Sequence, residues 1–69
     1  MIKIQQVMQM ISKAEIEEEI SQAQAAALRY KTKTLYQDVG VFADGSSSEW
    51  IYQTINLELI EIREARRYE

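Results

Sequence analysis

What most limits this chain is an absence: neither cysteine nor histidine occurs in its 69 residues. A domain of that size buries only about 60% of the surface its unfolded chain exposes. Many natural domains this small add a disulfide or a structural metal. Without cysteine there is no disulfide, and without cysteine or histidine the usual structural zinc sites cannot be built. Stability must then come from well-formed helices, from association, or from both. The composition, 46% apolar and 28% charged, is that of a globular protein rather than a disordered segment. A single small domain over residues 1–69 is expected.

The same absence restricts the chemistry. Histidine is the commonest general base, cysteine the strongest side-chain nucleophile, and the two are the favoured transition-metal ligands. Carboxylates remain. On a helix Glu15 would share a face with Glu18 and Glu19, but carboxylate metal sites in helical bundles normally add histidine from a Glu-x-x-His motif, which the sequence lacks. The acidic run is therefore read as a solvated helix turn. No enzymatic activity, cofactor or metal is expected.

Helix signals are plain. In ISKAEI (residues 11–16) Ser12 and Glu15 have capping-box spacing, and Ile11 and Ile16 occupy the staple positions around it. This predicts a helix beginning at Ser12. Ile16, Ile20, Ala23, Ala27 and Tyr30 then recur at steps of three and four and draw one narrow apolar stripe. After Tyr30, KTKT alternates, and its threonines favour strand, so two continuations stand open. Either the helix runs on to Val39 and ends at Gly40 in a Schellman motif, with Val41 opposite Tyr36, or KTKTLY pairs with VFA in a short hairpin. Asp44-Gly45 is turn chemistry, and Ser46 with Glu49 repeats the capping box.

The last helix is predicted over about 47–67. Ile51, Ile55, Leu59 and Ile62, joined by Tyr52, form one stripe, while Trp50, Leu57 and Tyr68 lie on another. One partner helix can cover only one of these faces. Residues 1–11 supply further cover as a short helix, with Ile4, Val7 and Ile11 on one face, or as a short strand opened by Ile2 and Ile4. The expected fold is mainly α, a helical hairpin of about 12–39 and 47–67 with a short N-terminal helix or strand. The alternative is α+β, in the order helix, short β-hairpin, helix.

Function follows from the two-faced helix. The sequence predicts a non-enzymatic interaction or assembly module, forming a homodimer through Trp50, Leu57 and Tyr68 together with the stripe of Ile51, Ile55, Leu59 and Ile62. Another protein is the expected partner. The net charge of −3 and pI near 4.9 argue against nucleic acid. No run approaches the roughly 20 apolar residues of a membrane span, and a cytoplasmic location is expected.

Two resemblances bear on the alternatives. VGVFADGSSSEWIYQTI is similar to the loop and second helix of ribbon-helix-helix regulators, which implies a small dimeric DNA-binding regulator. Arg29, Lys31 and Lys33 would line one face of LRYKTKT if that segment were a strand, and would then be the nucleic-acid contacts. The helix, hairpin, helix layout over about residues 12–68 is similar to that of small phage head-completion proteins, in layout alone and without a residue motif.

Overall fold

The computed structural model describes residues 3–39 and 46–67, and these form three helices. They are α1 (Ile4–Ile16), α2 (Gln22–Val39) and α3 (Ser46–Arg66). Cross-links give their directions. Arg29 of α2 reaches Ser12 and Glu15 of α1, Lys31 of α2 reaches Glu58 of α3, and Arg63 near the end of α3 reaches Glu19 beyond the end of α1. Thus α2 runs antiparallel to both neighbours, and α3 parallel to α1.

From Ile4 the N-terminal segment is the first full helix, with no strand among the described residues. Val7, Ile11 and Ala14, at steps of four and three, are all buried, which is the single-faced pattern of a packed helix. Its start is held by Gln6, whose side-chain oxygen accepts the Lys3 N–H at 2.7 Å. Ser12 therefore lies inside α1 and caps nothing. The expected helix of 12–39 is two helices joined by residues 17–21.

That link has identifiable chemistry. The Glu19 N–H donates to the Ala14 carbonyl at 2.9 Å and the Glu18 N–H to the Glu15 carbonyl at 3.0 Å, the paired bonds of a Schellman motif. Such a motif needs a left-handed residue, normally glycine. Here Glu18 takes the position, with φ of 61°, at a cost of about 1–2 kcal/mol for a residue bearing a Cβ. Three residues on, Ser21 opens α2. Its Oγ accepts the Gln24 N–H at 3.1 Å, and the Gln24 side chain accepts the Ser21 N–H at 2.9 Å. This reciprocal pair is a capping box, and Ser21 is the cap that Ser12 was expected to be.

The apolar face of α2 also differs from expectation. Ala25, Leu28 and Thr32 are buried, with Leu35 and Tyr36 packed partly against the core. Ala23, Ala27 and Tyr30 face outward, and Ile16 at the end of α1 is 80% exposed. Of the expected stripe only Ile20, in the link, is buried. The KTKT stretch is helical, and each threonine hydroxyl is satisfied within the helix. Thr32 donates to the Leu28 carbonyl at 2.7 Å and Thr34 to the Tyr30 carbonyl at 3.0 Å, the back-bond by which a helix accommodates a buried hydroxyl. The hairpin alternative is thereby overturned for residues 31–39. The Gly40 ending with Val41, the VFA segment and the Asp44-Gly45 turn fall outside the described residues.

Helix α3 lies close to its expected bounds. Ser46 is its first helical residue, and the cap expected of Ser46 with Glu49 falls outside what the described residues show. Ile51, Ile55 and Leu59 are fully buried and meet Val7, Ile11 and Ala14 of α1 and Ala25 and Leu28 of α2 in one core. Burying each large aliphatic side chain contributes roughly 1.5–3 kcal/mol, so this inner stripe is what ties the helices together.

Candidate interaction surface

Helix α3 separates its apolar residues cleanly. The inner stripe of Ile51, Ile55 and Leu59 is closed off in the core and Ile62 is half-buried against it. These four were expected to take part in association. Burial of the first three removes them from any surface a partner could touch. On the opposite face Trp50 is 51% exposed, Leu57 59% and Ile60 39%. Tyr68 lies outside the described residues. Ile60 was not singled out from the sequence, although it stands three residues from Leu57, at the spacing that continues the same face.

The outer face has a regular order. Trp50, Gln53, Leu57, Ile60, Glu64 and Arg67 follow at alternating steps of three and four, and all six are exposed. That is the a/d spacing of a coiled-coil seam. Its middle is aliphatic, one end is aromatic and amide, and the other end carries a carboxylate followed by a guanidinium.

The basic residues are divided among other tasks. Arg29 donates to Glu15 Oε1 at 2.7 Å and to Ser12 Oγ at 3.3 Å, bridging α2 to α1. Lys31, two residues on and therefore just over half a turn around the helix, pairs with Glu58 of α3. Lys33 is exposed. On a helix these three share no common face, so the strand-borne basic patch expected for a DNA-binding regulator is not formed by them.

The acidic run has partners from both other helices. Glu15 lies in the last turn of α1, where a carboxylate meets the negative pole of the dipole, and Glu17, Glu18 and Glu19 follow directly after it. A helix beginning at Ser12 would hold them in its first two turns; α1, ending at Ile16, reverses that position. Because the chain leaves the helix at Glu17, Glu15, Glu18 and Glu19 do not share a helix face either. Arg29 neutralises Glu15, Arg63 pairs with Glu19, and Arg66 donates to the carbonyl of the left-handed Glu18. Arginines from α2 and α3 thus offset an end of α1 that is unfavourable by itself.

A shallow groove of about 380 Å³ runs between α2 and α3, lined by Ala27, Leu28, Ile62 and Ala65 with Glu58, Glu61 and Arg66 among its polar edges. Among the described residues no helix is long and apolar enough to cross a membrane. Comparison with family models, curated proteins and solved structures finds no match to this chain.

Proposed function

We propose that this protein is a non-enzymatic interaction module that associates with itself through the outer face of α3. One observation carries the reading: Trp50 and Leu57 stand half or more exposed on a helix whose opposite face already fills the core. Leaving large apolar side chains in water forfeits stabilisation of roughly 1.5–3 kcal/mol each, and a small three-helix domain has little to spare. Isolated exposed leucines are ordinary on protein surfaces. A row of Trp50, Leu57 and Ile60 at seam spacing is a different case, since one helix can cover all three at once.

The chain reports on this face directly. Trp50 is its single tryptophan beside four tyrosines, so fluorescence excited selectively through the indole reads the outer face alone. Raising the concentration of the protein from low to high micromolar should shift the emission to shorter wavelength as Trp50 leaves water. Leu57→Glu should abolish that dependence while leaving helical circular dichroism intact. An emission spectrum of an exposed indole, unchanged over the whole range, would contradict the proposal.

A further inference from the structure

We infer that the occupant of the outer face is α3 of a second copy, packed antiparallel. The inference rests on the self-association proposed above and adds its geometry. The observation is the order of charge along the seam: Trp50, Gln53, Leu57, Ile60 and Glu64 are exposed along one face of α3, and Arg67 is exposed directly after its last residue. In an antiparallel pair each residue of one seam position meets one of the other, so the sequence is read against its own reverse.

Centred between Leu57 and Ile60, that reversal sets Leu57 against Ile60 of the other copy, Gln53 against Glu64, and Trp50 against Arg67. Every layer is complementary. The aliphatic pair forms the dry centre, the Gln53 amide donates to the Glu64 carboxylate, and the Arg67 guanidinium lies over the Trp50 ring in a cation–π contact. Twofold symmetry repeats each layer, giving an isologous interface about 26 Å long at 1.5 Å rise per residue. On the flank Thr54 meets Glu61, so no like charges face each other there.

The parallel alternative fails on the same residues. It would set Glu64 against Glu64 and Arg67 against Arg67, two like-charge layers at the seam, and would leave Trp50 stacked on its own copy beside an amide pair. Charge order on the exposed face therefore selects direction as well as partner.

Two measurements on the full chain test this. The protein has no cysteine, so Glu49→Cys, at an exposed position in the first turn of α3, places one spin label per copy. Antiparallel packing puts the two labels about 30 Å apart, from the helix rise and the spacing of packed helices, whereas parallel packing puts them about 10 Å apart. Gln53→Lys gives a second readout by sign. It places a cation opposite Glu64 in the antiparallel pair and should tighten association about threefold, the size expected of two exposed ion pairs. In a parallel pair it would face its own copy and weaken association. A dimer with the short distance, or one loosened by Gln53→Lys, overturns the antiparallel arrangement and leaves self-association standing. Absence of any dipolar coupling at concentrations where the labelled helix content is normal overturns both.

Discussion

Ser21 and Gln24 bond each other's backbone N–H groups, at 3.1 and 2.9 Å, and so fix where α2 begins. Ser12, which has the same spacing to Glu15, instead lies inside α1 and receives a bond from Arg29 at 3.3 Å. Ser21→Ala should therefore cost about 1 kcal/mol, the usual loss for an N-cap, and Ser12→Ala roughly half as much or less, the worth of one part-exposed hydrogen bond. Urea unfolding of the two variants checks the order. Equal losses, or a larger one at Ser12, would place the cap wrongly.

Glu18 holds a left-handed conformation with φ of 61°, which glycine adopts without a Cβ penalty. Glu18→Gly should raise stability by about 0.5–1 kcal/mol, the relief of backbone strain less the extra freedom glycine gains in the unfolded chain. The backbone carbonyl that Arg66 uses is retained. Thermal unfolding at constant protein concentration reads the change as a rise in Tm.

The Tyr36 hydroxyl is buried and has no hydrogen-bond partner among the described residues. An unsatisfied buried hydroxyl is destabilising, so Tyr36→Phe should be neutral or stabilising by up to about 1 kcal/mol. A loss of more than 1 kcal/mol in denaturant unfolding would show that the hydroxyl is bonded after all.

Leu57 and Leu59 are two residues apart on α3 and sit on opposite faces, 59% and 0% exposed. Leu59→Ala should cost about 2–5 kcal/mol, as core truncations do, whereas Leu57→Ala should change the stability of the single chain by no more than about 0.5 kcal/mol. The two are separated by unfolding at a concentration low enough to hold the chain monomeric.

How much of this was legible depends on the residue types involved. The inner face of α3 is written in Ile51, Ile55 and Leu59, large side chains at helical spacing, and its bounds emerge within a residue. The outer exposure of Trp50 and Leu57 follows from the same wheel. The break at residues 17–21 was hidden because its left-handed residue is Glu18 rather than glycine or asparagine, so no punctuation marks it. Two serine boxes then competed, at Ser12 and at Ser21, and local spacing cannot rank them. Tertiary packing did, because Val7 and Ile11 gain burial only if the helix already exists upstream of Ser12. The face of α2 was equally ambiguous. Ala23, Ala25, Ala26 and Ala27 surround the helix with small apolar groups, and Leu28 with Thr32, not the alanines, turns the inner side toward the core. The ion pairs that tie Arg63 to Glu19 and Lys31 to Glu58 join residues far apart in the chain, and no local pattern announces them.

The central claim is that the outer face of α3 is covered by association of the chain with itself. Sedimentation equilibrium of the unmodified protein measures this most directly, over a range reaching high micromolar concentration. The account predicts a monomer–dimer equilibrium, with mass rising from 8.1 kDa toward twice that value, and a Leu57→Glu variant that stays at the lower mass with its helix content unchanged. A single species at 8.1 kDa across the whole range would contradict it.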